Sequence, residues 1–272
     1  ALLAATLAMT VPIYGGWLSG DTQRLYRYGF TLLWGVLALG ATRSERTRPY
    51  LPLLLGLFGV SLGLALAYLA AHSPLSGLGG ASDIPKGAAA EKVFTEVIPL
   101  SAAIALAAWL SRRSAESLGL RRGKVSQSLG LGLLVTLPLL ALFAIDPSGG
   151  RDAVLSTPAV LLRSWLPWIL VFSVANGFSE ELWFRGLWLG GFKPVLGLPA
   201  AIHVTSLGFA LMHVIVYLPD VATVAVLTPA WLFMGYAFAW IMRRTGSLWG
   251  PVLAHAVADV IFLYVAFSLG KM

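Results

Sequence analysis

The chain of 272 residues contains no cysteine and few charged residues, and both deficits exclude classes of protein. Without cysteine there is no disulfide, no thiolate metal site and no cysteine nucleophile. Charged side chains make up 11% of the sequence, against roughly 25% in ordinary soluble proteins, while 58% of the residues are hydrophobic. A soluble protein of this length cannot bury so much apolar surface. The composition therefore predicts a polytopic membrane protein.

Apolar runs predict an all-α polytopic membrane protein, with about eight to nine transmembrane helices bundled around an intramembrane polar cavity. Runs of about 17–25 residues are long enough to cross a bilayer. They lie near residues 1–19, 26–42, 51–71, 95–111, 128–145, 164–190, 200–218, 221–242 and 248–269. The second and fourth are short, so eight spans is the alternative. The first run is interpreted as a spanning helix rather than a signal peptide, because no basic stretch precedes it. A basic link before residue 125 divides N-terminal helices, 1–125, from a C-terminal core, 126–272.

The charges in the links predict how the bundle is oriented. The basic residues follow the second, fourth, sixth and eighth runs: Arg43, Arg46, Arg48, Arg112, Arg113, Arg121, Arg122, Lys124, Lys193, Arg243 and Arg244. Under strict alternation these links share one side of the membrane. The links on the other side contain Asp21, Asp83, Asp146, Asp152 and Asp220. The positive-inside rule places the basic side in the cytoplasm, and it accounts for the net charge of +7 without a nucleic-acid partner.

Ionisable residues also occur inside three of the runs, where charge is costly unless it faces a cavity or a partner. The sixth run contains Glu180, Glu181 and Arg185, the seventh contains Phe209 and His213, and the ninth contains His255 and Asp259. The spacing of four residues predicts that Glu181 pairs with Arg185, while Glu180 is rotated by about 100° and can point into the bundle. At a rise of 1.5 Å per residue, Glu180 and His213 lie ~15 Å from the cytoplasmic ends of their predicted helices, and His255 lies ~11 Å from the cytoplasmic end of its helix. The three side chains are therefore expected at similar depths in the membrane.

This set of side chains fits several kinds of chemistry. A carboxylate beside a neutral imidazole can hold and deprotonate a water molecule, and a second histidine can donate to a developing oxyanion. Together these parts describe hydrolysis of an amide. The same residues could bind Zn²⁺, although the chain has no HExxH motif. They could also form a proton relay in a transporter, or polar contacts that fasten helices together.

The motifs resemble those of a known family. EELWFRG, then FALMH, then RTGSLWGPVLAHAVAD are similar to the three motifs of the CPBP intramembrane proteases, which include Ras-converting CAAX endopeptidases and bacteriocin-processing or immunity proteins. The resemblance covers roughly the second half of the chain. It implies an intramembrane endopeptidase in which Glu180 is the general base and His213 positions the water. His255 and Asp259 would form the oxyanion hole, and Glu181, Arg185 and Phe209 would support the site.

The resemblance also sets expectations for partners and cofactors. It implies a membrane-associated or prenylated protein or peptide as substrate, in a prokaryotic plasma membrane, with the site reached from the cytoplasmic side. No cofactor is expected, because the family's mechanism is that of a glutamate protease.

The chain departs from the family's motifs at one position. The CAAX-processing branch has Asn where this chain has Asp259, and a carboxylate donates a hydrogen bond only when it is protonated. A zinc protease that uses Glu180, His213, His255 and Asp259 as ligands is therefore the alternative, as is a non-proteolytic chaperone-like protein or transporter.

Overall fold

The structure is a computed structural model that describes residues 2–77, 84–121, 123–146, 149–216 and 221–270, and this part of the chain is mainly helical, with no strand. Ten helical elements follow one another. They are α1 (Leu2–Tyr14), α2 (Gly20–Thr42), α3 (Leu51–Ala71), α4 (Ile84–Glu91, Lys92–Val97 and Ile98–Leu110), α5 (Val125–Ile145), α6 (Gly150–Ser156), α7 (Ala159–Glu181, Leu182–Trp188 and Leu189–Leu196), α8 (Leu198–Val216), α9 (Val221–Thr245) and α10 (Trp249–Ser268). The middle pieces of α4 and α7 are π-helical, and three short 3₁₀ turns lie at Arg48–Tyr50, Pro74–Gly77 and Ala115–Leu118.

The predicted fold class is confirmed, with a smaller number of clear spans. Within the described residues, seven helices are long and apolar enough to cross a membrane: α3, α4, α5, α7, α8, α9 and α10. The first predicted run forms only the shorter apolar helix α1. The second is the 23-residue helix α2, whose first turns carry Asp21, Arg24 and Arg27 and make it less apolar. The predicted link residues Asp83, Arg122 and Asp220 lie outside the described residues, and the division near residue 125 stays a prediction.

Contacts between helix termini define the two ends of the bundle. The start of α5 meets the end of α9 and the start of α10, since the Ser128 hydroxyl donates to Ser247 O at 3.3 Å and accepts from Gly250 N at 3.0 Å. The basic links cluster here, so this is called the basic end. The end of α10 meets the start of α7, where the Tyr264 hydroxyl donates to Leu162 O at 3.0 Å. This is called the opposite end.

Glycines bring the motif-bearing helices into close contact. A Cβ atom on Gly177 in α7 would lie 3.2 Å from both Ala256 N and Val252 O of α10. A Cβ atom on Gly235 in α9 would lie 2.8 Å from Ser206 O of α8. Small residues allow helix backbones in a membrane to approach this closely. These two crossings therefore set how near the polar side chains of α7, α8 and α10 can come to one another.

The core between these crossings and the basic end is packed with aromatic side chains. The π-helical piece Leu182–Trp188 is buried throughout, and Phe184 packs edge-on against Phe209 at 5.4 Å between ring centroids. Arg113, in the link after α4, donates to Gly186 O and Leu187 O of the same piece at 2.8 Å each. π-Helical turns leave the regular backbone pairing and are frequent at functional sites. The one in α7 begins directly after Glu180 and Glu181.

Candidate active site

Side chains from α7, α8 and α10 converge on Glu180. Its Oε2 atom lies 3.7 Å from Nε2 of His213 and 3.9 Å from Nε2 of His255. Glu180 is buried, and the His213 side chain retains 21% of its exposure. No hydrogen-bond partner satisfies Glu180 Oε2 among the described residues. Two histidines from different helices, 33 and 75 positions after Glu180, thus place their imidazole nitrogens against one carboxylate oxygen.

Glu181 makes the predicted ion pair and one contact that the sequence did not indicate. Its Oε1 atom accepts from Arg185 Nη1 at 2.7 Å, and neither side chain is exposed. The same Oε1 atom lies 2.9 Å from His255 Nδ1. Arg185 also donates to Gly235 O at 2.9 Å, and its guanidinium carbon lies 4.6 Å from the centre of the Phe209 ring. Glu181 therefore connects α7 to α10 and fixes the ring of His255.

The backbone determines how the ring of His213 is protonated. Its Nδ1 atom lies 2.9 Å from Phe209 O, and a carbonyl oxygen can only accept, so Nδ1 carries the proton. The unprotonated Nε2 of the neutral ring then faces Glu180. Phe209 is fully buried, and its ring centre lies 4.4 Å from that of His213 and 5.6 Å from that of His255. Phe209 is therefore the packing surface against which both imidazoles are held.

Asp259 completes the polar set with a partner that was not predicted. Its Oδ1 atom lies 3.8 Å from His255 Nε2, and its Oδ2 atom accepts from Asn176 Nδ2 at 2.9 Å. Asn176 precedes Glu180 by four residues and therefore shares its helix face. A polar amide one turn before Glu180, inside the apolar stretch SVANGF, was the signal that could have identified it.

The converging side chains line a cavity of about 700 Å³. Its wall also includes Tyr14, Lys92 and Glu96 from the N-terminal half of the chain. Lys92 Nζ and Glu96 Oε1 are 2.6 Å apart, so the cavity wall contains a second, partly buried ion pair. The sequence reasoning missed it because the fourth run was predicted to begin near residue 95. The helix begins at Ile84, which moves Lys92 from a link into the bundle.

Asp146 forms part of the cavity wall at the opposite end, just beyond α5. Desolvation raises the pKa of its carboxyl group, but hydrogen bonds from the backbone N–H groups of Arg151 and Asp152 outweigh this effect. These bonds measure 2.8 Å and 3.1 Å. The net result is a pKa below the usual value, so Asp146 is a carboxylate at neutral pH. This part of the wall carries negative charge.

Three of the converging groups could also hold a metal ion. Ligand atoms of Glu180, His213 and His255 all lie within 4.8 Å of one another. One carboxylate oxygen and two imidazole nitrogens form a ligand set that suits zinc. Two ligand atoms on a tetrahedral zinc ion are roughly 3.4 Å apart when each bond is about 2.05 Å long. The separations of 3.7 and 3.9 Å would have to shorten slightly to meet that geometry.

The comparison with protein families bears directly on this arrangement. Residues 162–261 match the family model of Type II CAAX prenyl endopeptidase Rce1-like proteins. This part of the chain is similar to that family. The matched range extends from the first turn of α7 to the middle of α10 and contains Glu180, His213, His255 and Asp259. The resemblance to CPBP proteases drawn from the three motifs is thereby confirmed.

The Rce1-like match implies a protease, and hence a protein or peptide substrate, in an integral multi-pass membrane protein. No curated protein and no solved structure matches the chain. The match does not distinguish a glutamate mechanism from a metal-dependent one. The roles of individual side chains are therefore argued from their geometry.

Proposed function

We propose that the protein is an intramembrane endopeptidase of the glutamate type, which cleaves a peptide bond in a membrane-associated or prenylated protein or peptide. The observation that carries the proposal is the position of Glu180 Oε2 between the Nε2 atoms of His213 and His255. Membrane-embedded charge that forms no ordinary ion pair marks a functional site. The Rce1-like match of residues 162–261 supports peptide hydrolysis as that function.

The protonation of His213 supports a role in holding the attacking water. A water molecule between Glu180 and His213 can donate one O–H group to the carboxylate and the other to the unprotonated Nε2 atom. Its lone pairs then point away from both groups, toward a substrate carbonyl. In the reaction Glu180 takes a proton from this water, and the hydroxide oxygen bonds to the carbonyl carbon. The carbon–nitrogen bond then breaks, and the leaving amine takes the proton back from Glu180.

His255 is suited to stabilise the negative oxygen that forms during this attack. Its Nδ1 atom faces the carboxylate of Glu181 at 2.9 Å, and its Nε2 atom points toward the space between Glu180 and Asp259. In its doubly protonated form the ring donates from both nitrogens, to Glu181 and to the oxyanion. Asp259 orients this ring, or donates a second hydrogen bond when it is protonated. Asn176 holds Asp259 in place through the 2.9 Å bond.

Cleavage by purified variants tests this proposal. The probe is a fluorogenic prenylated peptide with a CAAX C-terminus, used beside a mixture of unprenylated peptides. Glu180→Gln should lower kcat/KM by about 10²–10⁴, the usual contribution of a general base. His255→Ala should lower it by about 10²–10³, as expected when an oxyanion donor is lost. His203→Ala is the matched control, because His203 is exposed and bonds to Tyr236 outside the site. Normal turnover by folded Glu180→Gln protein would refute the mechanism.

A zinc-dependent protease is the second candidate, and the mutual approach of Glu180, His213 and His255 favours it. In that case the three side chains would bind the metal, and the metal would supply the acidity that activates water. Elemental analysis of purified protein and cleavage in the presence of a chelator separate the two mechanisms. The glutamate mechanism predicts less than stoichiometric metal and full activity in chelator. Stoichiometric zinc with chelator-sensitive cleavage would replace it.

A further inference from the structure

The α4 side of the cavity wall carries a lysine that the proposed reaction does not use. Lys92, the first residue of the π-helical piece Lys92–Val97, is the one Lys or Arg among the described wall residues. The other charged wall residues in this part of the chain, apart from the histidines, are Asp and Glu. Lys92 also lies outside residues 162–261, so the family match does not account for it. The α4 side is therefore the part of the wall that would attract an anionic group.

The ammonium group of Lys92 has more donors than protein partners. A lysine ammonium carries three N–H donors. Lys92 Nζ donates to Glu96 Oε1 at 2.6 Å, and Glu96 is its single hydrogen-bond acceptor within the described residues. The Lys92 side chain is 15% exposed, and its Nζ atom lies 5.7 Å from the centre of the Phe172 ring on α7. Two donors are therefore available to oxygen atoms of a molecule in the cavity.

Glu96 does not neutralise this region completely, because it also interacts electrostatically with Arg27 of α2. Arg27 is held in place by Leu64 O, which accepts from its Nη1 atom at 2.7 Å, and by the Tyr68 ring, whose centre lies 5.3 Å from the guanidinium carbon. Two cations thus share one carboxylate. The excess of positive charge favours a charged acceptor over a neutral one, since hydrogen bonds to ionised groups are roughly twice as strong.

Lys92 lies close enough to the reacting groups to position a substrate against them. Its charge interacts electrostatically with Glu180 and Asp259. Phe172, the ring beside its ammonium, precedes Glu180 by eight residues, so these two positions are ~12 Å apart along α7. An extended polypeptide needs roughly three to four residues to cover that distance. A group bound at Lys92 would therefore belong to a residue a few positions away from the cleaved bond.

We propose that Lys92 binds a carboxylate group of the substrate and thereby selects which peptide bond is placed against Glu180. The inference rests on the peptidase activity proposed above. An ammonium is a compact point charge, so the same site accepts a C-terminal carboxylate or the side chain of an Asp or Glu. Glu96 and the Phe172 ring hold the ammonium in position. Substrate choice is then determined in part by α4, outside the residues that carry the proposed chemistry.

Binding of matched peptides to protein that does not cleave them tests this proposal. The probe is a fluorescently labelled prenylated peptide with a CAAX C-terminus, prepared as the free acid and as the C-terminal amide. A third form is the amide with Asp in place of the last residue, which supplies a side-chain carboxylate instead. Fluorescence anisotropy with purified Glu180→Gln protein in detergent gives the Kd of each form. Comparison of the three forms distinguishes the two sources of a carboxylate.

The free acid, or the Asp-containing amide, should bind about 10–100-fold more tightly than the plain amide, as expected for a hydrogen bond to a charged group. Addition of Lys92→Met should abolish this preference, and Lys92→Arg should retain most of it. Lys86→Met is the matched control and should retain the full preference. Lys86 is also on α4 and lies 5.6 Å from the centre of the Trp168 ring of α7, but it is exposed and outside the cavity wall.

The double variant Lys92→Met, Glu96→Gln is measured in parallel, because Lys92→Met alone leaves Glu96 without its nearest cation. It should also lose the preference for a carboxylate. Equal affinity of the Glu180→Gln protein for all three peptides would overturn the proposal, as would a preference that survives removal of Lys92. A merely structural role of Lys92 would weaken binding of all three forms to the same extent, which would overturn the proposal too.

Cleavage is measured separately, with Glu180 intact. Lys92→Met should then raise KM for the preferred peptide about 10–100-fold and change kcat much less, because the lost contact lies away from the cleaved bond. Protein that shows the preference dependent on Lys92 but cleaves none of the peptides would refute the proposed activity while supporting the carboxylate site. The two proposals therefore fail in distinguishable ways.

Discussion

Removal of one partner of the buried ion pair between Glu181 and Arg185 should strongly destabilise the protein, and Arg185→Met tests this. Both side chains have 0% exposure, and Arg185 also donates to Gly235 O. Removal of the guanidinium leaves the Glu181 carboxylate buried with only the His255 ring beside it, and breaking a buried ion pair in this way costs about 3–5 kcal/mol. For a chain of this size about 2–4 °C of Tm accompanies each kcal/mol, so Tm should fall by roughly 6–20 °C. Thermal unfolding of the purified protein in detergent measures the change.

Two controls make this experiment decisive. The pair between Arg24 and Asp21 is also separated by one helical turn, at 2.9 Å, but its side chains are 50% and 83% exposed. Asp21→Asn should therefore cost less than about 1 kcal/mol. The double variant Glu181→Gln, Arg185→Met removes both buried charges and should recover most of the lost Tm. If Arg185→Met is no more destabilising than Asp21→Asn, the reasoning from burial is wrong.

Three further variants probe the geometry of the site. Gly177→Val should lower the free energy of unfolding by about 1–3 kcal/mol and also lower kcat, because the new side chain must separate α7 from α10. Gly130→Val is the control and should change neither quantity, since no atom lies within 4 Å of its Cβ position. Equal effects of the two variants would show that the crossing at Gly177 does not determine the geometry of the site. Asp259→Asn should keep kcat within tenfold of wild type, because an amide can donate a hydrogen bond to an oxyanion. Asp259→Leu should lower kcat by about 10²–10³. Equal kcat values for wild type and Asp259→Leu would show that Asp259 has no role in the mechanism. Glu96→Gln should lower Tm by leaving Lys92 without its partner inside the cavity wall, and an unchanged Tm would show that solvent in the cavity screens Lys92.

The sequence predicted those features of the site that depend on spacing within one helix. Glu181 and Arg185 are four residues apart in an apolar run, and the cost of burying either charge alone requires that they pair. The common depth of Glu180, His213 and His255 followed from the lengths of the runs, because each apolar helix must span the same bilayer. The contacts around Glu180 agree with that expectation.

Contacts between helices could not be derived in this way. The bond between Asn176 and Asp259 and the approach of His255 to Glu181 depend on how α7 and α10 are rotated about their axes. That rotation is set by the close crossing at Gly177 and by the π-helical turn after Glu181, and apolar periodicity reports neither of them. Lys92 was missed for a different reason, since a helix boundary placed eleven residues too late hid it in a link.

The packed layer of Phe184, Phe209 and Phe238 has a consequence for the cell as well as for the site. A hydrolase inside a membrane needs water near the middle of the bilayer, yet a continuous aqueous path across it would dissipate ion and proton gradients. Because this layer closes the basic end, the cavity can be hydrated from one side while the permeability barrier stays intact. The aromatic residues beside the site would then keep the membrane impermeable to ions and protons at this position.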